Sequence, residues 1–190
     1  IYGGHRFFER AHVKDALAYL RLVENPNDNT AFLRAVNTPT RGIGAKTLEG
    51  LSAAAETAGV SLMTAAKNSP TKAAAFSDLI LNIRDKIADL PLVEAVKVVI
   101  ESSTLRAAVE AADKKEHTAK AEDLDEIANA AAAFLKNAEI DEKTPALLPV
   151  SEDELSPLSA FLALATLEAG DNQSEAGADA VQMMTVHAAK

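Results

Sequence analysis

Thr38-Pro39-Thr40-Arg41-Gly42-Ile43-Gly44-Ala45-Lys46-Thr47 is the stretch on which the fold turns. It lies between two segments of helical periodicity. Phe32, Leu33 and Val36 precede it, behind a capping Asp28 or Asn29, and Leu48, Leu51 and Ala55 follow it. Proline and two glycines interrupt the helices, so the stretch reads as a Gly-hydrophobic-Gly hairpin joining them. The glycines permit positive φ and close backbone approach. Ile43, between them, is expected to anchor the hairpin in the core. The following helix begins at the hairpin, where free amides and the helix dipole favour an anion. Arg41, Lys46 and Thr47 are placed to reach phosphate oxygens, and Gly42, Ile43 and Gly44 to let a sugar-phosphate backbone come close. Such contacts hold nucleic acid without reading its sequence. A helix-turn-helix corner that uses glycine only for tight packing has the same pattern.

Working outward, the pattern is helical almost throughout. Glu9 to Val23 repeats Val13, Ala16, Leu17 and Leu20 and ends at Asn25-Pro26. Ser61 caps a short helix to Lys67. Pro70 or Thr71 opens a long one carrying Phe76, Leu79, Ile80, Ile83 and Ile87. Pro91 suits the first turn of a helix bearing Val93, Val96, Val99 and Ile100. Leu105 to Ala112 adds another, and Thr118 to Ala138 places Leu124, Ile127, Ala131, Phe134 and Leu135 on one face. Ile140 to Asp153 is acidic and contains proline, which predicts a mobile loop. The last helix runs from Ser156-Pro157 to Gly170, and Asp171 to Asp179 reads as a linker. The expected fold is mainly α, with eight to nine helices around a helix-hairpin-helix-like element. Short β segments are expected only at the two termini, in the runs at Ile1 to Arg10 and Val181 to Lys190. Two half-used strands at the ends predict an insertion cut from a larger protein.

Composition agrees. Hydrophobic residues make up 48% of the chain but aromatics only 4%, and alanine accounts for much of the difference. There is no cysteine, so disulfides and thiolate metal sites are ruled out. No apolar run is long enough to span a bilayer, which predicts an intracellular, membrane-free protein. The net charge of -9 argues against nucleic acid, but the charge is uneven. Residues 1–48 hold seven Lys/Arg against four Asp/Glu, and the rest hold twelve against twenty-four. A locally basic edge on an acidic body remains compatible with weak phosphate binding.

No P-loop, no Gly-x-Ser-x-Gly elbow and no zinc-spaced histidine pair occurs. The acidic run Glu122, Asp123, Asp125, Glu126 reads as a solvated helical face. No catalytic residue and no metal site are predicted for this chain.

The run Ile1-Tyr2-Gly3-Gly4-His5-Arg6-Phe7-Phe8-Glu9-Arg10-Ala11-His12-Val13-Lys14-Asp15-Ala16-Leu17-Ala18-Tyr19-Leu20-Arg21 resembles the UvrD/Rep/PcrA family of DNA helicases. The resemblance continues through Asn37 to Gly44 and returns at Ala180 to Lys190; Leu167-Glu168-Ala169-Gly170 is similar to the UvrD branch in particular. It implies a 3′-to-5′ ATP-dependent helicase with two RecA-like motor domains, each carrying a helical insertion. By that resemblance residues 1–10 end motor domain 2A (the fourth motif), 11–178 form the 2B insertion, and 179–190 re-enter 2A at a truncated fifth motif. Gly3, Gly4, Arg6, Arg10, Thr185 and His187 would then lie near single-stranded DNA. Arg41, Gly42, Ile43, Gly44, Lys46 and Thr47 would meet the duplex. ATP and Mg would bind elsewhere in the parent, with no cofactor in this chain, and the parent would be cytoplasmic and nucleoid-associated. Two positions depart from the family pattern. His12-Val13 replaces the usual Glu-Ile, and Asp123 stands where asparagine is common.

The expected role is a duplex-binding, autoregulatory domain of a repair or replication helicase. Its expected partners are DNA, the helicase domains 1A, 1B and 2A, and a repair protein. The competing expectation is a protein-interaction module that uses the acidic helices after residue 49. Convergence of Arg34, Arg41 and Lys46 on one face favours DNA; an apolar patch on the acidic half favours a protein partner. A hairpin-type glycosylase fits poorly, because it wants an aspartate about twenty residues beyond the hairpin, and the first here is Asp78.

Overall fold

The computed structural model describes residues 7–149 and 154–170. Among these residues there are nine α-helices: α1 (Ala11–Glu24), α2 (Asn29–Ala35), α3 (Ala45–Ala58), α4 (Leu62–Lys67), α5 (Lys72–Ile87), α6 (Leu92–Ser102), α7 (Leu105–Glu116), α8 (Lys120–Asn137) and α9 (Pro157–Gly170). The mainly helical expectation is met. Phe7–Glu9, part of the terminal run read as a strand, forms a 3₁₀ turn instead. Its two aromatic side chains reach the core from one turn, and Phe8 meets Phe161 of α9 edge-on with ring centroids 6.4 Å apart. The remaining terminal segments expected to be β lie outside the described residues.

Local chemistry sets the helix starts. The side chains of Asp28, Ser61 and Thr71 accept from the amides of Ala31 (2.9 Å), Thr64 (3.2 Å) and Ala73 (3.2 Å), capping α2, α4 and α5 as their residue types require. Pro91 precedes α6 as its N-cap, one position earlier than expected. Helix α8 receives a cap from outside itself. The Asp113 carboxylate on α7 accepts from the Ala121 amide at 2.8 Å and from the Thr118 hydroxyl.

Helix α1 is the axis. Val13, Ala16, Leu17, Ala18, Tyr19, Leu20, Leu22 and Val23 are all buried, so it is covered on several sides, and it packs against α2, α5, α6, α8 and α9. Its C-terminal carbonyls do not go begging: Arg84 of α5 donates to the carbonyls of Val23 and Glu24, the latter at 2.6 Å.

The segment after α8 differs from the mobile loop expected there. Ala146 is fully buried, its amide donates to the Leu90 carbonyl at 2.8 Å, and its carbonyl accepts from Leu158 at 3.0 Å. One small residue thus pins residues 140–149 between α6 and α9, a tertiary contact that local composition does not carry.

Candidate nucleic-acid interface

The hairpin between α2 and α3 is organised by a side chain not singled out from the sequence. The Asn37 carbonyl oxygen accepts from the amides of Arg41 (2.7 Å) and Ile43 (3.3 Å), closing the loop from within. An asparagine five residues before the first hairpin glycine was the available signal. The chain passes through a cis Thr38–Pro39 bond and enters Gly42 at φ +71°, the left-handed region that glycine adopts freely. Ile43 is buried, as expected of the anchor.

Gly44 is different. It is the N-cap of α3 at φ -86°, ψ 174°, an extended conformation open to any residue, and a Cβ built on it meets nothing within 4 Å. Its carbonyl accepts from Thr47 and Leu48, but no side chain caps the first turn. Neither backbone nor packing calls for glycine here. Serine, threonine, aspartate or asparagine would cap the helix better.

Arg41 departs from the role expected of it. The guanidinium turns inward and donates to the carbonyls of Pro39 (2.9 Å), Ser103 (2.8 Å) and, more loosely, Ala35 (3.5 Å). It also lies over the rings of Tyr19 (5.8 Å) and Phe76 (5.3 Å). Ser103 follows the last turn of α6, so the cation sits where a helix C-terminus favours one. Phe32 and Phe76 complete the cluster edge-to-face at 5.6 Å. The Tyr19 hydroxyl donates to the Thr38 carbonyl at 2.6 Å. Burial pushes that hydroxyl up to about 12, with Arg41 pulling the other way. Arg41 is therefore a brace beneath the hairpin, with its donors spent on carbonyls instead of facing a phosphate.

The outward face is formed by other groups. Lys46 is exposed and Thr47 half-buried on the first turn of α3, and both line a groove of about 690 Å³ between α3, α4 and the start of α5. Leu51, Ala54, Val60 and Ala65 supply its apolar surface, Ser69 and Thr71 its far rim, and no carboxylate lines it. Lys72, the first residue of α5, reaches the hairpin from beside this groove. Its Nζ lies 3.0 Å from where a Gly42 Cβ would be. Arg34 does not join this face. It pairs with Asp15 at 2.7 Å and donates to the Ala11 carbonyl at 3.1 Å. The expected convergence of Arg34, Arg41 and Lys46 is thus not formed; Arg34 is exposed but paired elsewhere, Arg41 turns inward, and only Lys46 lies on this face.

Of the residues expected near single-stranded DNA, Gly3, Gly4, Arg6, Thr185 and His187 lie outside the described residues. Arg10 is described, and it pairs with Asp123 on α8 while lying 5.9 Å from the centre of the Phe7 ring. His12 meets the other oxygen of the same carboxylate. Burial pushes the Asp123 carboxyl up, but hydrogen bonds and charge from Arg10 and His12 outweigh it and hold the group below its usual range. The two positions that depart from the family pattern, at His12 and Asp123, therefore touch each other. Among the described residues, no group of three or more His, Asp or Glu is arranged to hold a metal ion, and no helix is long and apolar enough to cross a membrane.

Comparison with known proteins agrees with the ordered motifs. DNA helicase II of Escherichia coli (strain K12) is 40% identical over 200 residues, covering 100% of this chain and 26% of that protein. ATP-dependent DNA helicase UvrD1 of Mycobacterium tuberculosis (strain ATCC 25618 / H37Rv) is 34% identical over 205 residues, again 100% of this chain and 26% of the relative. ATP-dependent DNA helicase PcrA of Bacillus subtilis (strain 168) is 32% identical over 199 residues, with the same coverage. The chain spans about a quarter of the length of these relatives. Residues 1–190 match the family described as UvrD-like helicase C-terminal domain, and the chain belongs to that family.

Proposed function

We propose that this chain is the duplex-gripping 2B insertion, with flanking pieces of motor domain 2A, of a 3′-to-5′ ATP-dependent DNA helicase. The domain division, residues 11–178 between the motor segments 1–10 and 179–190, follows from the motif order. ATP and Mg bind in the parent's other domains, and the motor there hydrolyses ATP and draws in single strand. This chain holds the duplex ahead of it and, by its orientation, regulates unwinding in DNA repair or replication. The parent is cytoplasmic and nucleoid-associated, and a repair protein is a further partner.

The observation that carries the reading is Gly44, a glycine that neither φ nor packing requires, at the uncapped start of a helix between Ile43 and Lys46. A missing side chain there leaves the first amides of α3 open to a close-lying backbone. Lys46 and Thr47 then flank it as phosphate contacts, while Gly42 and Ile43 set the hairpin's shape and Arg41 braces it from below. Arg10, held by Asp123 here, and Gly3, Gly4, Arg6, Thr185 and His187 remain the motor-side contacts to single strand.

Lys46→Glu in the full-length polypeptide tests this. Binding to a 3′-tailed duplex should weaken, while ATP hydrolysis stimulated by single strand is spared. Unchanged junction affinity would contradict the reading.

The alternative, a protein-interaction module built on the acidic helices, gains less support. Several of those acids pair within the chain: Asp123, largely covered, with Arg10 and His12, and at the surface Glu101 and Asp125 with Arg106 and Glu116 with Lys120. The observation in its favour is the groove beside α3, whose apolar lining (Leu51, Ala54, Val60 and Ala65) follows residue 49, although no carboxylate lines it.

A further inference from the structure

We propose that Lys72, at the start of α5, is a phosphate-contacting residue of the same duplex interface, positioned by the missing side chain of Gly42. The proposal rests on the duplex-binding reading above and extends the grip from one element to two.

Lys72 is far from the hairpin in sequence, yet its ammonium lies across it. The Nζ stands 3.0 Å from the site of a Gly42 Cβ, with Cδ and Cε at 3.8 and 4.0 Å. A Cβ at residue 42 would push the tip of this flexible lysine aside by a few tenths of an ångström. Gly42 therefore serves two ends: it takes the left-handed conformation at φ +71°, and it leaves room for the cation.

The fold gains little from that placement. Lys72 is exposed and makes no ion pair or hydrogen bond among the described residues, and the same holds for Lys46. Arg10 is matched with Asp123, Arg34 with Asp15, Arg106 with Glu101 and Asp125, and Lys120 with Glu116. Other lysines such as Lys114 and Lys136 are also unpaired among the described residues, so what sets Lys46 and Lys72 apart is their place beside the hairpin. In a chain of net charge -9, two unmatched ammonium groups beside open backbone amides, with no carboxylate lining the adjoining groove, form a local positive surface. Each of these donors lacks an acceptor within the fold. A run of phosphates supplies acceptors to all of them at once, with Lys46 and Thr47 contacting from the start of α3 and Lys72 from the start of α5. Lysine suits this as a flexible point charge that needs no fixed geometry.

The test compares Lys72→Gln, Lys72→Arg, Lys46→Gln and, as a charge control, Lys136→Gln at the exposed end of α8, all in the full-length polypeptide. Binding to a labelled 3′-tailed duplex and to single strand is titrated between 50 and 200 mM salt, and a thermal melt confirms folding. Loss of one phosphate contact lowers the salt slope by about 0.9, so the wild-type advantage over Lys72→Gln should shrink about 3.5-fold across that range. The expected result is this change for the tailed duplex, none for single strand, recovery in Lys72→Arg and no effect of Lys136→Gln. If Lys72→Gln matches wild type while Lys46→Gln weakens duplex binding, the role of Lys72 is overturned and the hairpin reading stands. If both match wild type, both are overturned. Equal losses on duplex and single strand would also overturn the assignment to the duplex face.

Discussion

Arg41 ties together parts of the chain that lie far apart in sequence. One guanidinium joins the hairpin carbonyl of Pro39, the end of α6 at Ser103 and the faces of Tyr19 and Phe76. Replacing it removes the donors but leaves the carbonyls half-buried, and an unmet buried acceptor costs more than a lost surface bond. Arg41→Gln is therefore expected to lower stability by about 2 kcal/mol, read as a shift of the urea midpoint at unchanged slope. A surface-like loss of a few tenths would show that the brace carries no weight. This also explains why Arg41→Glu and Gly42→Val make poor probes of DNA contact: the first removes the brace, and the second forces a β-branched residue to φ +71° against Lys72. Sequence alone could identify Arg41 as part of the hairpin but not its direction, because its acceptor at Ser103 lies 62 residues away.

At the scale of elements, the start of α1 is joined to α8 by a carboxylate between a guanidinium and an imidazole. Asp123 takes Arg10 with one oxygen and His12 with the other. Its folded-state carboxyl is held below the ordinary value, so its contribution is complete above the unfolded value, about 3.9, and is lost as pH falls through the folded one. Between pH 6 and pH 3 the wild type should lose more of its thermal stability than Asp123→Asn, measured by paired melts; equal losses would contradict the assignment. The nine helices themselves were legible in the sequence, since caps at Asp28, Ser61 and Thr71 and apolar spacing along α1, α5, α6 and α8 are local signals. What escaped was tertiary. The Phe7–Glu9 turn looks like a strand until Phe8 finds Phe161, and the segment around Ala146 looks like a free loop until Leu90 and Leu158 claim its backbone. The meeting of His12 and Asp123 was equally hidden, although both had stood out singly as departures from a familiar pattern.

For the molecule as a whole, the candidate site was half legible. The hairpin, its buried Ile43 and its exposed Lys46 follow from the sequence; Asn37 closes the loop locally without having been singled out, and the inward turn of Arg41 and the approach of Lys72 depend on packing between distant segments. The result is an acidic helical body whose hairpin corner carries Lys46 and Lys72 beside a groove with no carboxylate in its lining, which makes the proposed DNA partner compatible with a net charge of -9. Such a corner confers grip without sequence preference and weakens steeply with salt. The central claim is that this corner is shaped for a DNA backbone and not for the fold. Gly44→Asp in the full-length polypeptide separates the two, because aspartate is a better N-cap than glycine by a few tenths of a kcal/mol and its side chain meets open space. If the account holds, the variant melts at or slightly above the wild-type temperature yet binds a 3′-tailed duplex more weakly, with single-strand affinity unchanged. Tailed-duplex binding equal to wild type in a variant that melts normally would contradict it.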